Sequence, residues 1–156
     1  MKELLTMMQH LRQPEYVHVL LNPMPLYGMA AGAFALAWSR LRKQEFPEGA
    51  LVWIIFVALV TGFAVYFGER GFENAGVTAD AHGNRWLARH KERAEILMYV
   101  FYLTGLSAAA TLFTQRRHPP TALRWIRITF LLTCASIVAA IWISHAGGQV
   151  IHTEFR

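Results

Sequence analysis

The sequence predicts an all-α integral membrane protein, an up-down four-helix bundle with a short N-terminal amphipathic helix. Of its 156 residues, 54% are hydrophobic and only 16% are charged. Each predicted span is close to the roughly 20 residues that cross a hydrocarbon core of about 30 Å. Each is apolar all round, whereas the helices of a soluble bundle carry a charged stripe. The four stretches without Asp, Glu, Lys or Arg are Val17 to Ser39, Gly49 to Gly68, Ile96 to Gln115 and Ile128 to Gln149.

The elements are predicted to form one transmembrane domain over residues 1–156. Apolar residues recur at helical spacing within residues 1–13, which indicates a helix lying on the membrane surface. Pro23 suits the first turn of a helix, so residues 16–21 are predicted as a non-spanning approach segment. The spans are predicted at about 23–41, 50–68, 92–114 and 127–146.

Two glycine pairs stand out within the apolar stretches. Gly28 and Gly32 form a GxxxG pair, which predicts close helix packing; the alternative is room for a flat cofactor. Gly147 and Gly148 leave two alternatives for the end of the last helix, which either continues or breaks there, because glycine is a poor helix former.

The charges on the two sides of the bundle differ. With four spans, both termini and the loop between the second and third helices share one side. The two short loops on the other side hold seven basic residues against two glutamates. Basic residues next to spans favour the cytoplasm, so the sequence predicts a bacterial inner-membrane protein with periplasmic termini. The net charge of +5 is then explained by the membrane orientation and by attraction to anionic lipid. No nucleic-acid partner is expected.

Histidines are concentrated on the terminus side, which holds six of the seven. His18, His90 and His145 lie at similar depth, while His152 follows His145 by two helical turns. Two imidazoles supply the axial ligands of a b-type haem, and these four residues are the candidate cofactor ligands. Glu69 and Glu73 share one helical face, so imidazoles with these carboxylates are candidate ligands of a transition metal ion. The remaining alternative is no cofactor, with the histidines hydrated at the interface.

Three short motifs resemble those of an uncharacterised family of small four-helix bacterial membrane proteins. Their family patterns are HxLLNHFPxxG, GExxE and HExxA, and the resemblance covers roughly residues 16–113. Pro23 stands where the first pattern has its second histidine. The resemblance implies the four-helix fold. The matching residues are His18, Leu20, Leu21, Asn22, Pro25 and Gly28, then Gly68 and Glu69, then His90 and Ala94. Glu73 and Glu92 each stand one position later than the glutamate of their pattern.

The function predicted from these features is a haem-binding or metal-binding membrane subunit that transfers electrons at the external face, with quinone as a candidate partner. The alternative is a non-catalytic structural or accessory subunit, associated with other membrane subunits or with copies of itself. Small-residue helix faces and a surface helix suit such assembly. No CxxCH, paired CxxC, HExxH or glycine-rich phosphate loop occurs, so the sequence leaves open whether the protein is an enzyme.

Overall fold

The computed structural model describes residues 2–44, 46–115 and 117–151. All regular structure in these ranges is helical, and four helices are long and apolar enough to cross a membrane. The predicted all-α membrane bundle is therefore confirmed. The elements are α1 (Lys2–His10), α2 (Pro14–Leu21), a π-helical segment (Met24–Gly28), α3 (Met29–Leu41), α4 (Glu48–Thr78), α5 (Ala81–Gln115) and α6 (Pro119–Ile151).

The long helices extend past the spans predicted from charge-free stretches. Helix α4 continues ten residues beyond Gly68, to Thr78, and α5 begins eleven residues before residue 92, at Ala81. Ten residues of helix add about 15 Å. The α4–α5 hairpin therefore projects beyond the apolar stretches on the terminus side.

Helix α2, the π-helical segment and α3 run as one rod, antiparallel to α4. The approach segment predicted at residues 16–21 is thus helical and continues the first span. Pro23 and Pro25 have no backbone N–H and cannot make α-helical hydrogen bonds at their positions, which explains the widened turn between α2 and α3. The indole Nε1 of Trp53 on α4 donates to the Gly28 carbonyl oxygen at 2.8 Å and ties this turn to the bundle.

Glycines bring the first rod close to α4. A Cβ atom on Gly28 would lie 2.7 Å from Val57 Cγ2, and one on Gly32 would lie 2.7 Å from Ile54 Cγ1. Neither position has room for a larger residue, so the close packing predicted from the GxxxG pair is confirmed.

Buried hydroxyl groups line the interface between α5 and α6. The hydroxyl oxygens of Thr104 and Ser136 lie 2.9 Å apart, and those of Thr111 and Thr129 lie 3.2 Å apart. Hydroxyl pairs of this kind hold helices together in a membrane, where apolar contact alone gives little preference for protein over lipid. Helix α6 runs without a break through Gly147 and Gly148 to Ile151, so of the two alternatives for this end the continuous helix is correct and the break is wrong.

Candidate functional site

A cleft opens at the terminus-side end of the bundle, between α2, α4, α5 and α6. It measures about 950 Å³ with its open mouth, and about 150 Å³ of this space is wide enough for water. Two imidazoles, those of His18 and His90, face it from α2 and α5. Its walls are mainly apolar, with contributions from Val65, Phe72, Leu87, Met98, Phe101 and Ile143.

The imidazole of His18 is held by α4. Its Nδ1 donates to the carbonyl oxygen of Ala64 at 2.8 Å. In an α-helix that carbonyl also accepts from the N–H four residues later, at Gly68. A Cβ atom on Gly68 would lie only 2.8 Å from His18 Nδ1. The missing side chain is therefore what lets the imidazole reach this carbonyl.

His90 is held by α6 in the same way. Its Nδ1 donates to the carbonyl oxygen of Ile143 at 2.9 Å. Gly147 again stands four residues after the accepting residue, and a Cβ atom on it would lie 3.1 Å from His90 Nδ1. The two histidines thus share one orienting arrangement, made from a helical carbonyl and a glycine at the i+4 position.

The two rings meet across the centre of the bundle. Their centroids are 6.0 Å apart, and their planes are inclined at 78°. A carbonyl oxygen only accepts hydrogen bonds, so Nδ1 carries the proton in both rings. In a neutral imidazole the other nitrogen, Nε2, then has a free lone pair. The site therefore combines two oriented Nε2 atoms in a mostly apolar cleft.

Each half of the chain supplies one of these oriented rings. In residues 14–78, His18 lies on the first rod and its acceptor on α4; in residues 81–151, His90 lies on α5 and its acceptor on α6. Both halves are antiparallel hairpins with the histidine on the first helix and the glycine on the second. The histidine pair lies where the two hairpins meet.

The other predicted site residues lie apart from this pair. His145 is exposed, does not line the cleft and packs against Trp86 with ring centroids 5.9 Å apart. Glu69 is exposed at the mouth of the cleft, and Glu73 is exposed outside it. His152 lies outside the described residues. Of the four predicted cofactor ligands, the structure thus brings His18 and His90 together.

Charged groups at the mouth of the cleft are arranged in pairs. The Lys91 ammonium lies 3.7 Å from the Glu95 carboxylate and 4.8 Å from the centroid of the Phe72 ring. Glu15 accepts from Asn74 at 3.4 Å. Within residues 2–44, 46–115 and 117–151, no three His, Cys, Asp or Glu side chains are grouped as ligands of one metal ion.

The orienting groups were not predicted from the sequence. Ala64 and Ile143 act through their backbone, which leaves no signal in the residue type. Gly68 and Gly147 do leave one, because each is a glycine inside a charge-free helical stretch close to its terminus-side end. Gly147 was considered only as the site of an alternative helix break, although its role in the structure is to make room for His90.

Fold and site together define a multi-pass four-helix membrane protein with a pair of oriented histidines inside the bundle. Comparison with protein-family models, with curated proteins and with solved structures finds no match to this chain.

Proposed function

We propose that this chain is a membrane subunit that binds a b-type haem between His18 and His90 and transfers electrons. The observation that carries the proposal is the shared orientation of the two rings, each with Nδ1 donating to a helical carbonyl, so that Nε2 is the nitrogen left to bind a metal. Histidines that bind metals almost always donate their other ring N–H to a carbonyl, carboxylate or water.

The number of ligands suits haem. Two imidazoles complete the axial coordination of haem iron, whereas a zinc or copper ion takes three or four protein ligands. A bound haem would supply one-electron exchange between ferric and ferrous iron. If His18 and His90 both bound the iron, they would leave no position on it for a substrate. Electron transfer therefore fits the site better than binding or activation of a small molecule.

The spacing of the rings also suits two ligands of one metal. Metal–imidazole bonds of about 2.0 Å would place two opposed ring centres about 6 Å apart, and the measured separation is 6.0 Å. The widest part of the cleft, about 150 Å³, matches a single six-membered ring. A haem would therefore have to widen the cleft between the helices while the two imidazoles keep their separation.

That small volume favours one alternative ligand, a transition metal ion on the same two imidazoles. Glu69, which lines the mouth of the cleft, is a candidate for a third ligand, with Glu73 and His152 as further candidates. The alternative function, a structural or accessory subunit without a cofactor, predicts that neither haem nor metal purifies with the protein.

For the side of the membrane, we propose periplasmic termini in a bacterial inner membrane. The support is the basic character of the two short loops, since basic residues next to spans favour the cytoplasmic side. The histidine pair would then lie near the external face. A membrane quinone or another membrane subunit would be the electron partner there.

The test is an optical spectrum of protein expressed with sufficient haem and extracted in mild detergent. We expect a Soret band and a low-spin spectrum with two axial imidazoles. His18→Ala and His90→Ala should each lose this spectrum, and added imidazole should restore part of it. His145→Ala is the matched control, because His145 is exposed outside the cleft.

Elemental analysis of the same samples separates the alternatives. A stoichiometric metal without a Soret band would indicate that the histidine pair binds a metal ion and not haem. Wild-type protein with neither, after haem-sufficient expression, would contradict the proposal and favour the accessory subunit.

A further inference from the structure

A stripe of arginines runs along the part of α5 that leaves the apolar stretch on the terminus side. Arg89 and Arg93 lie one helical turn apart and each stacks on an indole ring. The guanidinium carbon of Arg89 is 4.9 Å from the centroid of the Trp86 ring, and that of Arg93 is 4.6 Å from the centroid of the Trp142 ring. Arg93 Nη1 also donates to the Trp142 carbonyl oxygen at 2.9 Å.

These contacts hold both guanidiniums in place and leave most of their donors available. An arginine has five N–H groups in a planar fork that matches phosphate. Stacking on an indole occupies the flat face of the guanidinium and leaves the N–H groups at its edge available. The ion pair on this part of α5 joins Lys91 to Glu95, so it involves neither arginine. Glu92 is exposed nearby, but its single negative charge is smaller than the two positive charges of the guanidiniums.

From the two arginines toward the middle of the predicted spans, the surface of α5 and α6 becomes apolar. Ile96 and Leu103 on α5 are 62% and 55% exposed, and Val138 on α6 is 67% exposed. Trp142, between these residues and Arg93, is 53% exposed. Exposed aliphatic groups next to tryptophan and arginine mark the boundary between hydrocarbon and headgroups. The arginine pair therefore lies at headgroup level, above a face that contacts acyl chains.

We propose that this face of α5 and α6 binds one anionic phospholipid. Arg89 and Arg93 hold the headgroup phosphate by its oxygens, and an acyl chain lies along Ile96 and Val138. A lipid fits better than a soluble anion, because charge at the headgroup level is continuous with an exposed apolar surface. This inference does not depend on the histidine pair or on a cofactor.

The test is native mass spectrometry of the full chain released from nanodiscs that contain equal amounts of phosphatidylglycerol and phosphatidylcholine. We expect wild-type protein to retain phosphatidylglycerol preferentially. Each arginine near a membrane surface contributes about fivefold in affinity for anionic lipid. Arg89→Gln with Arg93→Gln should therefore weaken retention about 25-fold by the same rule. Arg124→Gln with Arg127→Gln, an equal charge loss on exposed residues of the opposite side, controls for general attraction to anionic lipid and should weaken retention less. Equal losses in the two double variants would overturn the proposal.

The single variant Arg89→Gln tests the proposal without a risk to the fold. Arg89 stacks on Trp86 of its own helix, so its loss leaves the hydrogen bond from Arg93 on α5 to the Trp142 carbonyl on α6 intact. Equal retention of phosphatidylglycerol by wild type and the double variant would overturn the proposal. Equal retention of the two lipids would also overturn it, because the phosphate site would then have no preference for anionic lipid. Displacement of the lipid by soluble glycerol phosphate at similar concentration would identify a free-phosphate site instead.

Discussion

Adding one methyl group at Gly68 should disturb the orientation of His18. The new Cβ would lie 2.8 Å from His18 Nδ1 and 2.9 Å from Cε1, whereas ordinary contact begins at 3.4 Å. The ring must therefore retreat by about 0.6 Å, which is the difference between these distances. Its hydrogen bond to Ala64, now 2.8 Å, would weaken or break.

The expected cost of Gly68→Ala follows from three contributions. Overpacking costs about 1–3 kcal/mol, and the lost hydrogen bond costs about 1 kcal/mol. The better helix propensity of alanine offsets about 0.8–1.0 kcal/mol. We therefore expect the free energy of unfolding to fall by about 1–3 kcal/mol on this reasoning. The assay is an SDS titration in mixed micelles followed by circular dichroism.

Gly148→Ala is the matched control, because a Cβ atom there meets nothing within 4 Å. It should raise stability by up to about 1 kcal/mol through helix propensity alone. Loss of an orienting partner typically weakens metal binding about 10–100-fold, so the proposed function predicts that Gly68→Ala also lowers haem occupancy. If Gly68→Ala proved as stable as Gly148→Ala, with an unchanged optical spectrum, the close approach of glycine and imidazole would not orient the ring.

Three further predictions concern the bundle and its orientation. Thr104→Val should cost about 0.6 kcal/mol in the same titration, and a double-mutant cycle with Ser136→Ala should show coupling; strict additivity would contradict the hydroxyl pair. Trp53→Phe should cost about 1 kcal/mol, because its hydrogen bond to the widened turn is lost; unchanged stability would count against that tie. In a cysteine-free background, an impermeant maleimide should label Val77→Cys in intact cells and Lys43→Cys only after lysis, and the reverse pattern would refute periplasmic termini.

The four spans could be predicted because charge is excluded from hydrocarbon, and this leaves long gaps between charged residues. Helix ends could not be predicted in this way. The segment from Glu69 to Thr78 is charged and lies outside the apolar stretch, yet it remains helical, paired with the start of α5. The approach segment at residues 16–21 was interpreted from the local signals Asn22, Pro23 and Pro25, which suit the start of a helix. Its close packing on Gly68 of α4 through His18 depends on tertiary contacts that local propensity does not contain.

The candidate site could be predicted only in part for a related reason. The asymmetric distribution of histidines indicated the correct end of the bundle for a cluster. Which rings face inward depends on helix rotation, and a period of 3.6 residues does not determine rotation when a span is apolar all round. His145 shares the depth of His90 but lies on an outward face beside Trp86. The backbone acceptors at Ala64 and Ile143 are invisible in sequence.

The two hairpins that meet at the histidine pair have the same plan, although the sequence shows no internal repeat. Each carries one imidazole on its first helix and one carbonyl with a neighbouring glycine on its second. Two copies of a single such hairpin, associated side by side in a membrane, would therefore present the same two rings to each other.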